Sequence, residues 1–195
     1  MSIYLRYTTL GMELAEAGDL KGYREHCAKA LKRFPNPTDP VAAMSVAACC
    51  LILPASGANP EAVARLADIA ASAPPKHWAW GLGQDCKALS EYRQGRFAKA
   101  EEYSQLVLSR PFNPFDRGRG LYVRIRAQAV LAMASWQLGQ SNVARSALAK
   151  SMESAKSVPG RSLEPGWEWL FAQGSLREAK ALIENQPVMA KDAAK

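Results

Sequence analysis

The first 35 residues of the chain carry a spaced pattern that predicts a pair of helices. A large residue, Tyr7, is followed three positions later by Leu10-Gly11, then by Gly18-Asp19 and finally by Pro35. This layout is typical of a helical hairpin that recurs about every 34 residues. A single hairpin of this kind cannot bury its apolar side, so it must stack on further hairpins. The pattern therefore predicts a protein built of stacked helical hairpins.

Helix-breaking residues divide the rest of the chain into similar units. Asp39-Pro40 and Asn59-Pro60 each combine a capping side chain with a proline that suits the first helical turn. Gly95 and Gly139 mark turns like that at Gly18, whereas the second hairpin lacks a turn glycine. Alanine and leucine dominate, which favours helix throughout. We expect helices at about 3–17 and 21–34, 40–54 and 60–73, 78–94 and 97–110, 120–138 and 141–157, and 165–184.

The residues around these turns resemble tetratricopeptide (TPR) repeats. The matches include Tyr92-Arg93-x-Gly95-Arg96-Phe97 with Ala100, and Leu138-Gly139 with Ala144. Over about residues 4–185 the chain looks like the C-terminal TPR region of planctomycete-type bacterial serine/threonine kinases. The resemblance implies an all-α, right-handed α-solenoid of about four hairpins with a C-terminal capping helix. We expect one repeat domain at 1–186 and a disordered tail at 187–195.

The resemblance also implies a function. In TPR proteins the first helix of each hairpin lines a concave groove, which implies an interaction scaffold or regulatory adaptor that binds a peptide or helix. A kinase-type catalytic domain or another subunit would then lie outside this chain, because the sequence has no kinase motif. For Tyr92 and Trp136 the sequence leaves open whether they bind a partner or pack between hairpins. The candidate partner-binding residues are Met12, Leu89, Tyr92, Arg93, Arg117, Arg119, Arg126, Met133 and Trp136.

Positive charge is concentrated in one segment of the chain. The net charge is +7, and residues 110–126 contain five arginines against one acid. Phe112 and Phe115 lie among these arginines, a combination that could hold single-stranded nucleic acid or grip an acidic protein. A solvated loop anchored by the two phenylalanines explains the segment equally well without any partner. Of the two binding interpretations we favour an acidic protein partner, with a nucleic-acid-associated subunit as the alternative.

Other functional classes find little support in the sequence. It has no hydrolase, metalloprotease or nucleotide-binding motif, and we interpret Gly81-x-Gly83 as a site of close helix packing. The four cysteines could form a metal site with His26 and His77, but their spacing favours small apolar core residues. We therefore expect no enzyme activity, metal or cofactor. The absence of a long apolar run predicts a cytoplasmic protein with no membrane contact.

Overall fold

The computed structural model describes residues 3–110, 119–158 and 166–184. Within these ranges every regular element is a helix, which confirms the prediction of an all-α protein. Each predicted helix is present, with ends within three residues of those expected. The described helices are α1 (Ile3–Glu16), α2 (Leu20–Arg33), α3 (Pro40–Leu51), α4 (Pro60–Ala71), α5 (Trp80–Arg93), α6 (Phe97–Leu108), α7 (Arg119–Gln137), α8 (Ser141–Lys156) and α9 (Trp167–Glu184).

Two helices begin at the predicted capping residues. The side chain of Asp39 accepts a hydrogen bond from the backbone N–H of Ala42 at 2.8 Å. Asn59 accepts one from Ala62 at 3.0 Å. In both cases a proline occupies the first turn, where its missing N–H costs no helical hydrogen bond. These local signals explain why the helix starts follow from the sequence alone.

The turn glycines close three of the hairpins. Gly18, Gly95 and Gly139 have φ of 71°, 73° and 75°, in the left-handed region that other residues adopt at a cost. They lie between α1 and α2, α5 and α6, and α7 and α8. The longer α3–α4 connection contains a fourth such residue, Gly57, with φ of 68°.

Contacts between the helices follow a regular order. Each odd-numbered helix contacts the helix that follows it, so the helices pair as consecutive hairpins. Each odd-numbered helix also contacts the next odd-numbered one, from α1 through α9, and each even-numbered helix contacts the odd-numbered one after it. The helices α1, α3, α5 and α7 thus form one continuous row, and α9 contacts it at α7. An additional contact joins α9 to α1, at the other end of this row.

The core lies between these helices and includes the cysteines. Cys27, Cys49, Cys50 and Cys86 are all free and buried, which confirms the prediction that they are core residues. Tyr23 is a large side chain that is 0% exposed. Its hydroxyl donates to the carbonyl of Cys49 at 2.9 Å and accepts from the N–H of Leu53 at 3.2 Å. This large side chain therefore ties α2 to the end of α3.

Candidate protein-binding face

The helix α9 lies against the row of odd-numbered helices. It contacts α7 and α8, as a helix that caps the last hairpin would, but it also contacts α1. Three side chains from α1, α5 and α7 reach it: Glu16, Arg93 and Arg126. We call the surface that carries these three side chains the odd-helix face. The predicted role of α9 as a cap is therefore incomplete, because the helix also covers this face.

Arg93 joins α5 to α9 through a two-pronged ion pair. Its Nη2 donates to Glu178 Oε2 at 2.7 Å, and its Nη1 donates to Glu178 Oε1. Arg93 Nη2 also lies 3.4 Å from the carbonyl oxygen of Leu51. Paired geometry of this kind gives direction as well as attraction. Arg93, a predicted partner-binding residue, thus already binds a carboxylate of its own chain.

A second arginine, Arg126, contacts α9 without forming an ion pair to it. The guanidinium carbon of Arg126 lies 4.2 Å from the ring centroid of Phe171, a cation–π contact. On its other side Arg126 pairs with Asp85 of α5, and its Nε lies 2.7 Å from Asp85 Oδ2. Burial raises the pKa of the Asp85 carboxyl, and the nearby Arg126 opposes that rise. A bridge from α5 through α7 to α9 results.

A third contact, made by Arg177 of α9, reaches the first helix. Arg177 Nη2 donates to Glu16 Oε1, a pair separated by 161 positions in the sequence. Glu16 and Arg93 occupy equivalent places, since each stands two residues before a turn glycine. Neighbouring residues of α9, Arg177 and Glu178, therefore contact equivalent positions of two hairpins with opposite charges.

Several of the predicted partner-binding residues lie in the interior. Met12, Leu89 and Met133 are between 0% and 2% exposed and belong to the core. Arg126 is 2% exposed, so its expected place on a basic surface is wrong. These side chains are therefore not open to a partner while α9 is in place.

Two aromatic residues of the prediction remain accessible. Tyr92 and Trp136 are half-buried and pack against the core. Burial raises the pKa of the Tyr92 phenol, Gln137 opposes that rise, and the Glu178 carboxylate adds to it. The Arg145 guanidinium carbon lies 5.9 Å from the Trp136 ring. Both alternatives for these residues, core packing and partner contact, stay compatible with half burial.

Arginines of the basic segment, residues 110–126, make contacts inside the protein that the sequence does not suggest. Arg110 stacks 3.6 Å from the Trp80 ring centroid and donates to the carbonyl of Pro75 at 2.7 Å. Arg124 lies 3.3 Å from the carbonyl oxygen of Arg110. The predicted residue Arg117 lies outside the described part of the chain, and Arg119 is described only as the first residue of α7. In this segment, Arg110, Arg124 and Arg126 thus have partners inside the protein.

Sequence reasoning missed four residues that take part in these contacts: Glu16, Asp85, Phe171 and Glu178. Each contacts a predicted residue or joins α9 to the row of odd-numbered helices. The signal that could have found them is the amphipathic pattern of α9. Its buried residues recur at helical spacing: Phe171, Ala172, Ser175, Ala179 and Ile183. Such a stripe predicts a buried side but does not identify the surface that covers it.

Cavities of different sizes lie between the helices, of about 390 Å³ between α8 and α9 and about 270 Å³ between α7 and α8. A cavity of about 90 Å³ lies beside Arg93, lined in part by Cys50, Leu53 and Val63. It is several-fold smaller than typical ligand pockets of roughly 300–1,000 Å³. No group of three or more potential metal ligands was found among residues with described positions. In the same residues, no helix is both long and apolar enough to cross a membrane.

No protein-family model, curated protein or solved structure matches the chain.

Proposed function

We propose that the chain is a TPR-like, right-handed solenoid that works as a protein-interaction scaffold or regulatory adaptor. Its partner would be a peptide or helix, bound on the odd-helix face. The supporting observations are the three turn glycines with positive φ and the regular contacts between successive hairpins. Such contacts are typical of repeat proteins that present a long binding surface.

The strongest support comes from the helix already bound on this face. α9 is held there by an ion pair to Arg93, a cation–π contact to Arg126 and an ion pair to Glu16. Binding of an amphipathic helix in a groove is a common mode of peptide recognition. A face that holds one helix of its own chain has the chemistry to hold a helix of another.

Charge favours an acidic partner over a nucleic acid. The chain carries +7, so attraction to an acidic protein is expected. A nucleic-acid surface would need several arginines free for phosphates. Arg110 and Arg124 are instead bonded to carbonyls of the chain, and Arg126 is buried. This arrangement favours the protein-binding function over the nucleic-acid alternative.

Site-specific photo-cross-linking in the native host tests the proposal. A photoreactive phenylalanine analogue replaces Tyr92, which is half-buried at the face, in the full chain. The matched control places it at Leu106, which is 43% exposed on the even-numbered helix α6. We expect a discrete cross-linked protein from position 92 and not from 106. A partner cross-linked only from position 106 would contradict binding at the odd-helix face.

A further inference from the structure

The contacts of α9 leave part of the face unsatisfied. Arg126 Nη1, Arg93 Nε and Asp85 Oδ1 are buried and have no hydrogen-bond partner among the described residues. Phe171 gives Arg126 a ring face but no acceptor atom. A buried donor without a partner is destabilising, and more so when it is charged. The face therefore binds α9 with one arginine, Arg93, paired through both Nη atoms to a carboxylate of that helix, and with another, Arg126, that has no carboxylate from it.

The unpaired side of Arg126 is defined by the position of Asp85. Asp85 Oδ2 accepts from both Nε and Nη2 of Arg126. The remaining nitrogen, Nη1, is the one without an acceptor. Nη1 is therefore the atom of Arg126 to which a second acceptor would bind. Charged hydrogen bonds of this type are about twice as strong as neutral ones.

The spacing of the two arginines along α9 follows from the residues that they contact. Arg126 contacts Phe171 and Arg93 contacts Glu178, seven positions further along the same helix. Residues seven apart lie on the same side of a helix, two turns or about 10.5 Å apart. A helix with a carboxylate at both positions would therefore serve both arginines.

We propose that α9 is a displaceable occupant of the odd-helix face and that the external partner is an acidic helix with carboxylates seven residues apart. This proposal rests on the function proposed above. One carboxylate replaces Glu178 on Arg93, and the other takes the place of Phe171 on Arg126. The partner competes with α9, so its apparent affinity depends on the fraction of molecules in which α9 is released.

A binding experiment with the full chain tests both parts of the proposal. The probe is a fluorescently labelled synthetic peptide of residues 167–184 carrying Phe171→Glu, and the matched peptide carries Phe171→Gln. Glu178→Gln in the full chain weakens the hold on α9 but leaves Arg93 and Arg126 in place. Glu184→Gln, at the exposed end of α9, is the control. Fluorescence anisotropy gives the dissociation constants.

We expect the Phe171→Glu peptide to bind the Glu178→Gln chain at least tenfold more tightly than the wild type or the Glu184→Gln control. The Phe171→Gln peptide should bind the Glu178→Gln chain at least tenfold more weakly than the Phe171→Glu peptide does. Arg93→Gln in the full chain should also release α9, yet it should bind the peptide no better than wild type because the guanidinium that donates to one of the two carboxylates is gone. Equal binding to the wild-type and Glu178→Gln chains would overturn displacement. Equal binding of the two peptides would overturn recognition of two carboxylates.

Hydrogen exchange separates release of α9 from general unfolding. Amides of 167–184 should exchange faster in the Glu178→Gln chain, with α5 unchanged. If that variant unfolds, Arg177→Gln carries the same test, because it removes only the contact with Glu16. If no peptide binds any chain while a protein still cross-links from position 92, the displacement of α9 is refuted and the proposed function stands. Tight peptide binding without a cross-linked protein from position 92 would instead support displacement and count against the proposed function.

Discussion

Arg126 and Asp85 form an ion pair in the protein interior, in which Arg126 Nε donates to Asp85 Oδ2 at 2.7 Å. Their side chains are 3% and 2% exposed, so water screens neither charge. The pair joins α7 to α5 directly under the ring of Phe171. A buried charge is tolerated only while its partner remains, so each residue depends on the other.

Removal of one member of this pair should lower the free energy of unfolding more than removal of both. Arg126→Met leaves the Asp85 carboxylate buried and uncompensated, and we expect a loss of about 3–5 kcal/mol in the free energy of unfolding. The double variant Asp85→Leu/Arg126→Met should recover much of that loss. Urea unfolding measures both. A double variant less stable than Arg126→Met would show that the pair is not the cause.

The pH dependence of the Arg126→Met variant follows from the same pair. Burial raises the pKa of Asp85 above its ordinary value, so the folded state holds this proton more tightly than the unfolded chain. Stability from such a group is present at low pH and decreases as pH rises past the unfolded pKa. The stability deficit of Arg126→Met should therefore shrink as the pH is lowered towards the ordinary pKa of aspartate. Urea unfolding at a series of pH values measures this deficit.

Glu91 should show the opposite dependence. Burial raises the pKa of Glu91, but hydrogen bonds from Arg96 and Lys87 outweigh it and lower the pKa from 4.5 to about 2. The Lys87 Nζ–Glu91 Oε1 distance is 2.6 Å. A lowered pKa gives stability above pH 4.5 that is lost as pH falls towards 2. We expect Glu91→Gln to destabilise at pH 7 and to differ little from wild type near pH 2. Glu102→Gln, at an exposed position of α6, should have little effect at either pH.

Local signals explain how much of the fold could be predicted. Asp39 and Asn59 cap helices through their own side chains, and Gly95 and Gly139 bend the chain with positive φ. Each of these effects acts within a few residues, so the sequence pattern contains it. The helix ends were therefore predictable to within three residues.

The candidate site depended on contacts that no local pattern contains. Arg93 and Glu178 are 85 positions apart, and their pairing requires the Arg93 side chain to reach from α5 to α9. The periodicity of α9 indicates which side is apolar but not which helices cover it. Arg126 looked like a surface charge because its burial depends on Asp85, which lies 41 positions away on another helix.

Close approach of α4 and α5 depends on one glycine of the Gly81-x-Gly83 pair. A Cβ atom at position 83 would lie 2.1 Å from the carbonyl oxygen of Ala70, whereas at Gly81 the nearest atom would be 3.8 Å away. Gly83→Ala must therefore move backbone, and we expect a loss of about 1–3 kcal/mol, as for other overpacked sites. Gly81→Ala is the matched control and should be neutral or slightly stabilising. Thermal unfolding followed by circular dichroism compares the two. Equal melting temperatures would contradict the close approach.

Ala100 should tolerate enlargement poorly. It is 0% exposed and belongs to the core, as its place five residues after Gly95 predicts. Ala100→Leu adds three carbons to a filled space and should cost about 1–3 kcal/mol. Ala98 is exposed on the same helix, so Ala98→Leu adds the same atoms without crowding. Denaturant unfolding of the two variants measures the difference. If both variants match the wild type, the space around Ala100 is not filled.

Salt dependence of oligonucleotide binding distinguishes the two proposed partner classes. Four arginine–phosphate contacts would give a slope of log affinity against log salt of about −3 to −4. We expect little binding of single-stranded RNA at physiological salt, because Arg124 faces backbone carbonyls and Arg126 is buried against Asp85.

Arg117 and Arg119 are the other two of these four arginines. Reversal of both charges, by Arg117→Glu with Arg119→Glu, should abolish capture of a protein partner and leave the helical circular dichroism spectrum unchanged. Lys29→Glu with Lys32→Glu, on α2, changes the net charge equally and should leave capture intact. Nanomolar RNA binding that weakens steeply with salt, and that the Arg117/Arg119 reversal removes, would establish the nucleic-acid alternative instead.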